Sequence, residues 1–296
     1  MNGTCEEHEE INGGSVMQSD ATPLLRAAGI SEERLATELP GLATGRRTTP
    51  DLFGFGLLEA VPAEEILRRA DPNDLDGDGV SGRPNINDDG ELGRFGRKGQ
   101  VATLTDFTAD AFIYEQGITN PPDETEEETN FGRELPAGVD PAPDPEISEE
   151  DVNLTVAFVQ LLAPPTRPIL FDETNSGRAV FDAIGCATCH VPELTTGSHP
   201  LPSLRNRTFF AYTDLLLHDM GPDLADICNG SATPSEFRTE PLMGLSLATT
   251  FLHDGRARSI EEAIVAHGGE AAGARDRFLA LTSGTRSSLM SFLRSL

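Results

Sequence analysis

The stretch Cys186-Ala187-Thr188-Cys189-His190 constrains this chain more than any other part of it. Two thiols three positions apart, with a histidine directly after the second, are the residues needed to hold one porphyrin covalently. The thiols reach two vinyl groups as thioethers, and the imidazole falls beneath the iron as proximal ligand. Other uses of a Cys-x-x-Cys pair are poorly served here. A zinc site needs two more ligands at comparable spacing, and the remaining cysteines, Cys5 and Cys228, form no such pair. A thioredoxin-like redox pair belongs in a βαβ context, which the sequence does not offer. The motif therefore reads as a haem c site anchored on Cys186 and Cys189, with His190 on the iron. A purely structural acidic binding module would require the motif to be accidental.

With 296 residues the chain is long enough for one large or two ordinary domains, each burying a core. A formal net charge of -27 argues against nucleic acid or an anionic membrane as partner. It suits a basic partner such as a small redox carrier, an electron donor or acceptor protein. No apolar run approaches the roughly 20 residues of a transmembrane span. The start, Met1 to Cys5, has no basic region followed by an apolar one, so no signal peptide is read there. Haem c is attached outside the bacterial cytoplasmic membrane. The expectation is thus a periplasmic or otherwise extracytoplasmic protein, truncated at its front.

Taken in order, the first 50 residues read as an irregular start and a short helix. Cys5 and His8 resemble a damaged haem-binding motif that lacks the cysteine directly before the histidine. After Pro62, Glu64 and Glu65 mark the first turn of a helix containing Ile66 and Leu67. In Asp71 to Gly79, the residues Asp74, Asp76, Asp78 and Gly79 fall at positions one, three, five and six of an EF-hand-type loop, a candidate calcium site. Its twelfth position is Asn85, where a bidentate glutamate is needed. Arg94, Arg97 and Lys98 form a local basic cluster, and Phe107, Ala111, Phe112 and Tyr114 an apolar helical stretch. Asn120 to Asp151, rich in Pro, Glu and Asp, reads as an acidic linker or surface loop. A short helix over Val152 to Leu162 ends before Pro164-Pro165, and the domain boundary is placed near residues 163 to 170. The remainder reads as a cytochrome c domain. One helix, capped at Asn175-Ser176, leads through Phe181 and Ile184 into Cys186. Another closes the chain with Leu289, Met290, Phe292, Leu293 and Leu296 on its stripe, Met290 being core.

The sixth iron ligand has to come from His199, His218, His253, His267, Met220 or Met243. Ser259 and Glu262 form a capping box that fixes a helix start. Ile260, Ala263, Ile264 and His267 then share its apolar face, and Gly268-Gly269 stop it. His267 is therefore the expected distal ligand, with His218 the runner-up and Met220 after it. Arg256, beside His253 and Asp254, is a candidate partner for a haem propionate.

Several stretches together resemble the bacterial di-haem oxidoreductases, a family described as peroxidases or thiol oxidoreductases and distantly related to di-haem cytochrome c peroxidases. They are residues 76–85 (DGDGVSGRPN), 94–101 (RFGRKGQV), 117–119, 185–190, 215–222 (LLLHDMGP), 251–258 (FLHDGRAR) and 267–271 (HGGEA). The resemblance implies a mainly α, cytochrome c-like fold with two haem-binding domains. These are an incomplete N-terminal one over 1–165, containing the acidic segment 120–151, and a C-terminal one over 166–296. In the peroxidase relatives one haem passes electrons and the other reduces peroxide, and His267 falls where the electron-transfer haem takes its second ligand. The chain departs from the family at its front, where the first Cys-x-x-Cys-His lacks its second cysteine. Two functions follow: a haem c oxidoreductase of di-haem peroxidase type, or a single-haem electron-transfer cytochrome without peroxidase activity.

Overall fold

The computed structural model describes residues 16, 20–31, 44–87, 89–121, 135–166 and 172–296. The candidates Cys5 and His8 lie outside them, as do residues 122–134 of the acidic segment. The described chain is helix-rich with a few three-residue strands and divides into two compact units, residues 1–43 with 105–158 and residues 44–104 with 159–296.

In the first unit, helix α1 (Pro23–Ala27) starts at Thr22, whose hydroxyl accepts the Leu25 N–H. Helix α4 (Leu104–Asp110) widens into a π-helical turn over Ala111–Glu115. The Thr119 hydroxyl donates to Asp144 and accepts the Glu146 N–H, which folds the end of the acidic segment back on this turn. Helix α5 (Glu149–Leu161) follows, three acidic residues in its first turn, as the apolar run before Pro164 predicted.

The second unit holds helices α2 (Phe55–Glu59) and α3 (Ala63–Leu67) and then most of the C-terminal half. Helix α6 (Asp172–Ala183) starts earlier than expected, so Asn175 and Ser176 lie within it and not at its cap. Helix α9 (Ser283–Leu293) is capped by Thr282 and crosses α6. The crossing is close: a Cβ on Gly177 would lie 2.1 Å from the Ser288 carbonyl oxygen. Around it pack Phe181, Ile184, Tyr212, Phe278, Leu289, Met290, Phe292, Leu293 and Leu296, so Met290 is core as its spacing implied. Two antiparallel pairs, β1 (Glu193–Thr195) with β2 (Thr208–Phe210) and β3 (Leu217–Asp219) with β4 (Glu236–Arg238), were not anticipated. Helices α7 (Ile260–Ala266) and α8 (Ala272–Leu279) complete the unit.

The units do not follow the expected division at 163–170, because residues 44–104 are tied to the C-terminal half. Arg83 exchanges both backbone hydrogen bonds with Leu217 and grips Glu236 with two guanidinium nitrogens. Lys98 is wholly buried and donates to the carbonyls of Thr233, Pro234 and Glu236. Asn85 donates to the Lys98 carbonyl and accepts from Ser231, so it is no twelfth ligand of an acidic loop. Links across more than a hundred residues leave no trace in local periodicity.

Gly177→Val should force α6 from α9 and lower stability by about 3 kcal/mol, read as a fall in the urea midpoint. The Arg83–Glu236 pair gives acid sensitivity. Burial pushes the Glu236 carboxyl up, but hydrogen bonds from Arg83 and Thr233 outweigh it and hold it at about 2. A carboxylate depressed in the fold stabilises above its unfolded range, and that contribution is lost as pH falls toward 2. Arg83→Met should therefore cost about 2 kcal/mol at pH 7, and the loss should shrink between pH 4.5 and 2 in acid-unfolding curves.

Candidate functional site

Helix α6 ends at Ala183, and two residues on Gly185, whose φ of +87° suits a residue without a Cβ, leads the chain into a single 3-10 turn, Cys186–Thr188. That turn and its cap residue Cys189 carry both thiols, each free and half-buried, into the wall of a cavity of about 780 Å³ within the second unit. This is within the range of about 300–1,000 Å³ typical of ligand sites. Cys186, Cys189, His190, His218, His253 and His267 all line it, among largely apolar neighbours such as Phe181, Leu242, Ile260 and Ile264.

Two of these histidines are held alike. His190 places Nδ1 3.0 Å from the Tyr212 carbonyl oxygen, and His267 places Nδ1 2.7 Å from the Ala263 carbonyl oxygen. A carbonyl only accepts, so Nδ1 carries the hydrogen in both rings and Nε2 keeps its lone pair. Burial pushes the His190 imidazole down to about 4 and outweighs the Tyr212 hydrogen bond, with the His267 charge adding to the depression. Burial likewise lowers His267 against its bond to Ala263. Both rings are therefore neutral near pH 7, the form that ligates a metal, each with the backbone hydrogen bond that ligand histidines commonly make. The capping box behind His267 is present in altered form. Ser259 accepts the Glu262 N–H, while the Glu262 carboxylate takes the N–H of Arg258, one residue before the cap. Helix α7 ends at Ala266, so His267 is its cap residue.

Residues 34–296 match the family model described as "Di-haem oxidoreductase, putative peroxidase". The chain belongs to this family. As a di-haem oxidoreductase it is a haem-dependent redox protein, and a free Cys-x-x-Cys-His turn opening on a large apolar cavity fits that cofactor. Two solved structures are similar at low level. Hydrazine synthase from Kuenenia stuttgartiensis is 15% identical, with a TM-score of 0.41 over 89% of this chain and 98% of that one. A MauG-like protein associated with microbial copper homeostasis is 17% identical, with a TM-score of 0.41 over 89% and 95%. No curated protein matches the chain.

In this di-haem oxidoreductase His218 is not placed as a second ligand, although it lines the cavity. Its Nδ1 lies 2.9 Å from Glu270 Oε2 and its Nε2 2.9 Å from Asp214 Oδ2, so neither nitrogen has a lone pair to offer. Burial alone would lower it, but hydrogen bonds to Asp214, Cys189 and Glu270 raise it to about 12. His199 lies outside the cavity and accepts the Leu201 N–H. His253 stacks on Phe237 at 4.2 Å and forms wall. Met220 and Met243 also line the cavity. Arg256 faces away: it donates to Asp254 and to the Asp223 carbonyl, and does not line the cavity. The guanidinium groups that do are Arg97, Arg238, Arg275 and Arg277, of which only Arg97 drew attention in the sequence.

The acidic loop differs from the expected calcium set. The carboxylates that converge within 4.8 Å belong to Asp71, Asp74 and Asp76. Asp78 instead accepts the Val80 N–H in its own turn and reaches the cavity wall. Among the described residues, no helix is long and apolar enough to cross a membrane. Cys228 is disulfide-bonded.

Burial, with the Cys189 charge adding to it, pushes the Cys186 thiol up to about 12, and burial also raises Cys189. Thiolates are the reactive form. In folded protein without haem, iodoacetamide at pH 8 should therefore label Cys186 more than about a hundredfold slower than a free cysteine. Labelling should be fast in urea, as mass spectrometry of the labelled peptide would show.

Proposed function

We propose that the second unit carries a haem c joined through thioethers to Cys186 and Cys189, with His190 as proximal and His267 as distal ligand, and that the protein transfers electrons through it. The observation that carries this reading is the matched pair of histidines in one cavity, each with Nδ1 on a backbone carbonyl and Nε2 left free. When bound, the haem supplies reversible one-electron chemistry. The chain's own residues bind and orient. Arg277 donates to the Ile184 carbonyl, beside the thioether turn. Arg97 and Arg238 share Glu240 on the cavity wall, and in place of Arg256 they are the cations that would pair with the propionates. Two imidazole ligands imply a lower potential than a histidine–methionine pair.

The wider assignment is a di-haem peroxidase-type oxidoreductase, working outside the cytoplasm with a small basic redox protein and peroxide as reactants. Family membership and the acidic net charge support it. A single-haem electron carrier is the second reading. It is favoured by the front of the chain, where Cys5 and His8 are not joined by a second cysteine before the histidine.

The test is haem content of protein matured with cytochrome c export machinery, by pyridine haemochrome against protein concentration. At least one haem per chain should survive denaturing electrophoresis and be lost in the Cys186→Ala/Cys189→Ala double variant. The spectrum should be low-spin and turn high-spin in His267→Ala. Two haems per chain would favour the peroxidase and one the carrier, whereas no covalent haem would overturn both.

A further inference from the structure

A charged cluster, the buried Asp214 and His218 with the half-buried Glu270, sits where the Cys186–Cys189 stretch meets the segment after His267. The His218 side chain is about 5% exposed. Its two ring nitrogens face carboxylate oxygens, which only accept, so both donate and the ring is an imidazolium. Each carboxylate is fixed in turn. Asp214 Oδ1 accepts the Leu216 N–H at 2.9 Å. Glu270 accepts the Ser81 hydroxyl on Oε1 at 2.6 Å and the Ser81 N–H on Oε2 at 3.1 Å.

Glu270 stands three residues beyond His267. Between them, Gly268 and Gly269 run against the end of β3 with no room for a side chain. A Cβ on Gly269 would lie 2.1 Å from the Asp219 carbonyl oxygen, and one on Gly268 2.7 Å from that of Met220. His267 itself has left the helix, with ψ 119° at the cap. Its imidazole direction therefore depends on what holds the chain on each side. On the helix side that is the Ala263 carbonyl. On the other side, the first side chain able to grip is Glu270, and it grips His218. The Arg275 guanidinium adds a bond to the His267 carbonyl oxygen.

We propose that His218 is a positioning residue: a fixed cation between Asp214 and Glu270 that clamps the segment carrying His267 against the strand beside Cys189, and so keeps His267 in place as second axial ligand. This rests on the haem reading above. Without the imidazolium, the buried Asp214 and the half-buried Glu270 are left as like charges with no cation between them. The arrangement is relieved by release of the 268–271 segment, and the ligand before it is then free to leave.

The experiment uses holoprotein matured with covalent haem, comparing wild type with His218→Gln and Glu270→Gln at pH 7. Both variants should keep covalent haem on denaturing gels. Their high-spin fraction, by absorption and electron paramagnetic resonance, should rise at least about tenfold. Added imidazole should return them to low spin, which a general loss of packing would not produce. Should His218→Gln fail to mature, Glu270→Gln decides by the same readings. Haem-loaded variants with the wild-type low-spin spectrum would overturn the proposal. A wild type without covalent haem, or one unchanged by His267→Ala, would remove the haem reading and this inference with it. Passing both wild-type tests with unchanged variants would sink this inference alone.

Discussion

The crossing of α6 and α9 at Gly177 is the contact on which the site depends. It brings Phe181 and Phe292 to 5.5 Å between ring centres, and each meets the Tyr212 ring edge-on at 5.9 Å. Tyr212 holds a left-handed backbone with φ +51°, a conformation that aromatic residues seldom adopt and that costs about 1–3 kcal/mol. Packing against two aromatic rings can hold the residue there. With its ring in the core, Tyr212 turns its carbonyl to His190 Nδ1. The tautomer of His190 is thus set by aromatic packing, one step removed from the cavity itself.

What the sequence disclosed follows from how far each interaction reaches along the chain. That Cys186, Cys189 and His190 share one wall of a cavity was legible because the motif is contiguous. The helix that brings His267 to the cavity was legible because a capping box and a helical stripe are both local, although the helix stops one residue sooner and Glu262 takes the Arg258 N–H. His218, the runner-up ligand in the sequence, has both ring nitrogens on carboxylates. Its partner Asp214 is four residues away, but Glu270 is 52 residues away, and the second carboxylate is what removes the last lone pair. Arg256 was misplaced for a related reason: Asp254 is close enough to capture it, and a motif does not say which way a turn faces. The attachment of residues 44–104 to the C-terminal half rests on Arg83, Asn85 and Lys98, whose partners lie in 217–236 or along their own loop, beyond any periodicity.

Charge is distributed in a way that composition conceals. The net charge is -27, yet cations are buried at the points that join segments. Lys98 sits over the Phe237 ring at 3.9 Å and beside Asp226, while His253 covers Phe237 as part of the cavity wall. Arg238 is buried with Glu240 as partner. Each such pair is expensive to desolvate and only weak grounds for overall stability. Their use is positional, since a buried cation with three carbonyl partners tolerates few alternative loop placements. Acidic residues give the chain its net charge, and the interior cations keep the cavity in shape.

Preorganisation separates the candidate ligands better than proximity does. Met220, Met243, His218 and His253 all reach the cavity, so nearness alone names no ligand. Only His190 and His267 combine neutrality, a donor nitrogen already satisfied by backbone, and a free lone pair. Rings held in this way need little rearrangement when a bound metal centre changes charge, which is the requirement on a site that passes electrons. The same rigidity opposes an open coordination position. On the proposed ligation by His190 and His267, peroxide would have to be reduced at a second haem, or after a loosening of whatever holds His267. The segment from Gly268 to Glu270, gripped by His218, is where such loosening would begin.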